Sequence, residues 1–307
     1  MADSKQWFVI INPASGNGSA KKLWPKIEAL LLAYRFDFKY EFTKFSKHSQ
    51  ELVHEAVNQG YLNIISIGGD GTLHNIVNGI MSQSIVASTS IKVGVIPIGT
   101  GNDWVKTHAI PKDIEHAIQI IKNGNTALQD LGKIELLEET DTPVYFNNLA
   151  GIGFDGYVVN KVGKYKHFGP IAYLVGTMMG LFSFKNFESE VTINSEVIKS
   201  KSLMILIGLC QYSGGGMQLT KTPNPFDGLF DISLAGNFSK WDILKNTLKL
   251  FNGQIVDFKK VQTHRTISIS IKVLEDQKPF IQADGELIGT GDFRVSIIPK
   301  ALSFYCK

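Results

Sequence analysis

Three glycine-rich segments, each set directly behind a short apolar run, constrain this chain more than any other feature of its sequence. Asn12-Pro13-Ala14-Ser15-Gly16-Asn17-Gly18-Ser19 follows Phe8-Val9-Ile10-Ile11, and Gly68-Gly69-Asp70-Gly71-Thr72 follows Ile64-Ile65-Ser66-Ile67. Gly99-Thr100-Gly101-Asn102-Asp103 follows a third run over 92–96. Helical faces come between: Leu23, Ile27, Leu30 and Leu31 after Ser19; Leu52, Val53, Ala56 and Val57 after a strand over 39–42; Leu73, Ile76, Val77 and Ile80 after the second loop; and a helix over 113–121. Apolar runs alternating with 3.6-period faces predict parallel βαβ units in a doubly wound sheet. Ligands of such sheets gather beyond the carboxyl ends of the strands, so the loops are expected to converge on one edge. Glycine lets backbone N–H groups approach phosphate oxygens, and a helix N-terminus behind the loop adds a favourable dipole. Phosphate is the expected ligand.

The loops exclude two common solutions. None contains Gly-x-x-x-x-Gly-Lys-Ser/Thr, and none gives Gly-x-Gly-x-x-Gly after the first strand, so Walker ATPases and nucleotide-dependent dehydrogenases lose ground. Asp70 stands among glycines at a strand end, where a bound polyphosphate would repel its carboxylate unless a metal or a reacting hydroxyl stood between them. That pattern points to phosphoryl transfer. With 31 Lys+Arg against 28 Asp+Glu the formal charge is only +3, too small to predict a nucleic-acid partner.

At 307 residues, two domains are expected on a scale of about 150 residues each. After residue 131 the sequence turns β-rich, with alternation through Thr266-Ile267-Ser268-Ile269-Ser270-Ile271. Helices are expected over 157–164, 171–182 and 241–251, the last capped by Ser239 and closed by Gly253. Two cysteines, Cys210 and Cys306, build no disulfide framework and favour a reducing compartment. No secretion signal is read, and the weakly polar run 171–182 is too short to span a bilayer. His54, His74, His108, His116 and His264 show no metal-ligand spacing, so zinc is not expected.

Four segments in order, Asn12-Pro13-Ala14-Ser15-Gly16, Gly68-Gly69-Asp70-Gly71-Thr72, Gly99-Thr100-Gly101-Asn102-Asp103 and Asp284-Gly285-Glu286, resemble the signatures of the diacylglycerol kinase catalytic family, which includes bacterial soluble lipid kinases and sphingosine kinases. The resemblance spans nearly the whole chain. It implies an α/β nucleotide-binding domain like those of phosphofructokinases and NAD kinases over 1–131 with a returning segment over 294–307. A β-sandwich-like lipid-substrate domain is implied over 132–293. The implied activity is ATP- and Mg²⁺-dependent transfer of a phosphoryl group to a lipid hydroxyl such as that of diacylglycerol.

Residue by residue, the resemblance places nucleotide contacts at Asn12, Pro13, Ala14, Ser15 and Gly16, at Thr43, at Gly68, Gly69, Asp70, Gly71, Thr72, Leu73, His74 and Asn75, and at Gly99, Thr100 and Asn102. Glu286 is implied as the base that takes the lipid hydroxyl proton. Asp70 is the rival base and otherwise serves metal or acceptor geometry. Asn224, Asp227 and Leu229 are the implied Mg²⁺ ligands, all oxygen donors suited to a hard cation. Asp103, Asp130 and Asp284 are the implied supporting network. Asn17 departs from the basic residue that several relatives carry there.

The implied partner is a lipid alcohol at a membrane surface, with a cytoplasmic chain peripheral at the inner face and a homodimer left open. Lys161, Lys164, Lys166 and His167, followed by the apolar residues of 171–184, would suit either a bilayer surface or a core-packing helix. A soluble-metabolite kinase of NAD-kinase type and a non-catalytic nucleotide or lipid sensor are the alternatives.

Overall fold

In this computed structural model the described residues are 6–99, 101–137, 142–162, 184–276 and 278–307. Thr100 and the expected helix over 171–182, with its basic approach at Lys164, Lys166 and His167, lie outside them. The chain divides into two compact units, one of residues 1–130 with 300–307 and one of 131–299.

The first unit is a parallel sheet with helices between its strands. β1 (Gln6–Ile11), β2 (Asp37–Phe42), β3 (Asn63–Gly68) and β4 (Lys92–Pro97) lie in the order β2-β1-β3-β4. All three pairings are parallel, so Ile11 sits beside Phe42 and Ile67, and Gly68 beside Pro97. Every strand therefore ends at the same edge. The connecting helices α1 (Ser19–Ala33), α2 (His48–Asn58), α3 (Asp70–Ser82), α4 (Asp103–Thr107) and α5 (Ile114–Asn123) carry their apolar faces inward. One cluster joins Trp7, Val9 and Ile11 of β1 to Trp24, Ile27 and Leu31 of α1 and to Ile118 and Ile121 of α5. β1, β3 and β4 read as near-continuous apolar runs because a parallel strand covered by helices is buried on both faces.

The last strand, β16 (Phe293–Tyr305), reaches this unit at its end, where Ser303 and Phe304 pair in parallel with Lys92 and Val93. Asp130 is fully buried, and its Oδ1 accepts the N–H of Lys300 at 2.7 Å, a residue held at φ 53°. That is the left-handed region, which a residue other than glycine adopts only uncommonly.

Among the described residues the second unit pairs its strands antiparallel, as a β-sandwich-like domain. One sheet runs β12-β11-β10-β7-β14-β15, from β12 (Val261–Thr266), β11 (Phe230–Ala235), β10 (Met204–Gly208) and β7 (Leu149–Gly153) to β14 (Phe280–Ala283) and β15 (Glu286–Thr290). In the other, β13 (Ser268–Val273) pairs with β16 on one side and β8 (Phe187–Ile193) on the other, with β9 (Glu196–Ser202) beyond. β5 (Thr126–Leu136) pairs with β6 (Val144–Phe146). α6 (Phe154–Val162) and α7 (Lys240–Asn246) cover this unit's apolar cluster, which includes Phe154, Val158, Leu206 and Phe238.

Two expectations are corrected here. The alternating run 266–271 is split between two sheets at Ile267, which is exposed, because the Thr266 hydroxyl donates to Ser268 O at 2.7 Å and bends the chain. The helix expected over 241–251 keeps its Ser239 capping box but leaves the α form at Asn246, continuing as a 3-10 turn over Thr247–Leu250. Asn246 Nδ2 donates back to Asp242 O at 2.6 Å and Thr247 Oγ1 to Ile243 O at 3.0 Å, side-chain bonds that compete with the helical ladder. Gly253 opens the next 3-10 turn instead of closing this one.

Below α4, Trp104 Nε1 donates to Gln129 Oε1 at 2.8 Å, and Gln129 also bonds His108, whose ring lies 4.4 Å from Trp104 and 4.6 Å from Phe304. Burial pushes His108 down from 6.5 to about 4, against the Gln129 bond that raises it. Between those values the unfolded chain binds the extra proton and the folded chain does not, so acid destabilises. We expect the melting temperature of the wild-type chain to fall more steeply from pH 6.5 to 4 than that of His108→Gln, with equal slopes disproving the neutral buried ring.

Candidate active site

The three glycine loops meet at the common strand edge, and the contacts a side chain would make at their glycines show how closely. A Cβ at Gly68 would lie 2.3 Å from Thr72 Oγ1 and 3.1 Å from Ser15 Oγ. Hydroxyls from the first and second loops thus crowd the bare Cα of Gly68, where no other residue fits. A Cβ at Gly99 would lie 2.9 Å from Asn102 Oδ1 and 3.4 Å from the Cα of Gly69, which brings the third loop against the second.

Asn12 stitches the first loop together. Its N–H donates to Ile67 O at 3.0 Å, its Nδ2 to Thr72 Oγ1 at 3.1 Å, and its Oδ1 accepts from Ala14 N at 3.1 Å. Behind it Gly16, Asn17 and Gly18 all have positive φ, 61°, 55° and 84°, so the chain turns into α1 through consecutive left-handed residues. The run closes on itself, Gly18 N–H donating to Ala14 O at 3.1 Å and Ser19 N–H to Gly16 O at 3.2 Å. Pro13 and Ser15 are half-buried and Ala14 is exposed, so the loop faces solvent in part. Thr43 is placed at the same edge behind β2, its N–H donating to Ile11 O at 2.8 Å.

Asp70 has a duty that its sequence context did not disclose. Its Oδ2 accepts the N–H of Asp103 at 2.8 Å and its Oδ1 that of Trp104 at 3.3 Å. The carboxylate therefore holds the N-terminus of α4, and those N–H groups offset part of the charge expected to repel a polyphosphate. Asn102, at φ 50°, donates from Nδ2 to Gly99 O at 3.1 Å and fixes the turn from within. Asp103 is buried in the same place. On α3, Asn75 Nδ2 donates to Gly71 O at 2.9 Å while its Oδ1 accepts from Gln50 at 3.2 Å. The side chains of Leu73 and His74 are buried, and Asn78 Nδ2 donates to His74 O at 2.9 Å. Both side chains thus pack on the inward face of α3.

In the second unit, Asp284 and Gly285 form the two-residue turn between β14 and β15, with φ 52° and 82°, the double positive φ of a type I′ hairpin. The Asp284 carboxylate accepts three N–H groups, from Asn147 at 3.1 Å, Asn148 at 2.9 Å and Leu149 at 3.2 Å. Glu286 follows, exposed, as the first residue of β15. Gln282 ties this turn from below: its Oε1 accepts Gly285 N at 2.9 Å and its Nε2 donates to Asp155 Oδ2 at 3.0 Å. Burial pushes Asp155 up from 3.8 to about 6, while Gln282 and the N–H groups of Gly156 and of Asp155 itself pull it back part of the way. Sequence reading missed both residues. Gly151 and Gly156 were its nearest signal, since a Cβ at Gly151 would lie 2.2 Å from Asp155 Oδ2 and one at Gly156 2.2 Å from Phe280 O.

The expected Mg²⁺ ligands lie in one turn of the second unit. Asn224 Oδ1 accepts from Phe226 N at 3.2 Å and Asp227 Oδ1 from Leu229 N at 3.1 Å, while Asp227 Oδ2 is bonded by the Arg265 guanidinium. Arg265 Nε also lies 3.4 Å from Oδ2 of buried Asp231. Oxygen donors and two adjoining carboxylates fit a hard cation, and here Arg265 supplies the balancing charge. Among the described residues no group of three His, Cys, Asp or Glu forms a metal cluster.

Residues 6–134 match the diacylglycerol kinase catalytic domain and residues 148–306 the YegS C-terminal NAD kinase beta sandwich-like domain. A diacylglycerol kinase of Mycobacterium tuberculosis (strain ATCC 25618 / H37Rv) is 26% identical over 296 residues, covering 95% of this chain and 92% of its own. One from Staphylococcus carnosus (strain TM300) is 28% identical over 287 residues, covering 93% and 90%. The crystal structure of a diacylglycerol kinase from Bacillus anthracis str. Sterne superimposes with a TM-score of 0.74 at 19% identity, over 100% of this chain and 98% of that one. At that identity the likeness is one of fold.

A raised Asp155 binds its proton more tightly folded than unfolded, so its contribution to stability is present below about pH 3.8 and is lost as pH rises through about 6. Relative to the parent, Asp155→Asn should therefore gain stability as pH is raised from 4 to 7 and level off above. A difference between the two melting curves that stays flat with pH would contradict the buried carboxyl.

Proposed function

The chain belongs to the diacylglycerol kinase catalytic domain family, and from that premise we propose that it transfers the γ-phosphoryl group of ATP to the hydroxyl of a lipid alcohol such as diacylglycerol. The observation that carries the reading is the meeting of Ser15, Thr72 and the bare Cα of Gly68 at the strand edge, a cradle that any side chain would fill.

In this reading the first unit holds the nucleotide. The N-terminus of α3 presents N–H groups to the phosphates, with Ser15 and Thr72 as hydroxyl donors. Asp70, by holding α4, keeps the third loop against the second so that the cradle is formed before the nucleotide arrives. Such preorganisation matters because phosphoryl transfer is accelerated chiefly by positioning and charge stabilisation. The second unit supplies the base. Glu286 takes the proton of the acceptor hydroxyl; the freed oxygen bonds to the γ-phosphorus, the bond to the β-phosphate oxygen breaks, and ADP leaves. Asn224, Asp227 and the Leu229 carbonyl are proposed to hold Mg²⁺, which when bound adds a fixed positive charge to this turn.

The test is transfer of labelled γ-phosphate from Mg-ATP into an organic-extractable product, with mixed micelles carrying a panel of lipid alcohols. We expect one acceptor class to be labelled, and Glu286→Gln to lower the rate by about 10²–10⁴-fold while leaving the thermal shift given by ATP in place. Asp70→Asn should lower both the rate and the ATP thermal shift, and Gly68→Ala should remove the shift. Label that appears only in a soluble metabolite would replace the lipid reading, and ATP binding with no transfer to any acceptor would favour a sensor.

A further inference from the structure

Of the four tryptophans in the chain, Trp7, Trp24 and Trp104 are buried, whereas Trp241 is 70% exposed. It begins a stripe. Along α7 and the 3-10 turn behind it, Trp241, Leu244, Leu248 and Phe251 recur at intervals of three, four and three residues, and all are exposed, Leu248 by 83%. Trp241 and Leu244 share one side of α7, and Leu248 and Phe251 follow at the same interval of three through the 3-10 turn. The fold does not need this side, because Ile243 and Leu250 already pack in the cluster with Phe238, Ile255 and Val256, and Asn246 is buried beside them. Large apolar side chains exposed together mark a contact surface.

The charges around the stripe say what covers it. Residues 239–260 carry five lysines, Lys240, Lys245, Lys249, Lys259 and Lys260, against Asp242 and Asp257, a local excess equal to that of the whole 307-residue chain. Lys260 is paired with Asp242 at 2.7 Å, and Lys245 and Lys259 are exposed. A second protein copy suits this surface poorly. Protein interfaces are depleted in lysine, and four such side chains offer on the order of 500 Å², against about 800 Å² per partner in a stable complex. Lysines beside a Trp, Leu and Phe stripe instead match the phosphates and acyl boundary of an anionic lipid surface.

We propose that Trp241, Leu244, Leu248 and Phe251, with the lysines among them, form a docking surface for an anionic lipid bilayer. Its purpose rests on the lipid-kinase reading; the docking itself does not. Trp241 is the exposed one of the four tryptophans, so a lipid-induced shift of the full chain's emission that is lost in Trp241→Phe reports on it. Vesicles of phosphatidylglycerol and phosphatidylcholine in equal parts should shift that emission to the blue and sediment the protein, while phosphatidylcholine alone should do neither. Leu248→Asp should weaken sedimentation by about tenfold, and Lys245→Glu by about fivefold, with melting temperatures unchanged. Activity of Leu248→Asp toward diacylglycerol dispersed in detergent micelles should equal that of the parent.

The proposal is overturned if Leu248→Asp sediments like the parent, if neutral vesicles bind as well as anionic ones, or if the lipid-free chain self-associates through Leu248. If no lipid accepts phosphate while anionic vesicles still bind through Leu248, the kinase reading falls and the docking surface stands.

Discussion

The carboxylate of Asp70 is the interaction on which the ligand edge of the first unit depends. By accepting the N–H groups of Asp103 and Trp104 it fastens the start of α4 to the start of α3, two helices whose strands lie side by side. Trp104 then carries that position inward, through its indole bond to Gln129 and its contacts with His108 and Phe304. A loop that would otherwise be a solvent-exposed glycine turn is thereby coupled to the packed interior. Replacing the carboxylate by an apolar group would leave two helix N–H groups unsatisfied in a partly buried place, at a cost of about 1–3 kcal/mol each.

The second unit uses the same device with a different donor set. Asp284 gathers three consecutive backbone N–H groups, and Gln282 bridges the Gly285 N–H to Asp155, so the hairpin that presents Glu286 is fixed from two sides. A carboxylate satisfied in this way is better regarded as part of the scaffold than as a reacting group. That division separates Asp284, which is held, from Glu286, which is exposed and lies one residue past the turn.

Much of this was legible in the sequence, and what was not has a common cause. Strand-then-glycine spacing disclosed the loops and their shared edge because periodicity and chain order are local properties. The β-rich second half was legible for the same reason. Pairings between distant residues were not: Asp70 meets Asp103 across 33 positions, and Gln282 meets Asp155 across 127. Alternation also misled at Ile267, where the pattern is continuous but the hydroxyl of Thr266 diverts the chain from one sheet to the next. The end of α7 failed similarly, since Asn246 and Thr247 side chains compete for carbonyls that a glycine-based rule assigns to the ladder.

The return of the final strand makes the first unit discontinuous in sequence, with Ser303 and Phe304 paired to β4 and Asp130 fastened to Lys300. During synthesis the amino-terminal residues emerge first, yet the outer edge of β4 has no neighbour until residues 300–307 have been made. An unpaired apolar strand edge is a template for association with other chains. The nascent protein is thus exposed to that hazard for as long as it takes to translate the whole of the second unit, and its earliest half is among the last to be sealed.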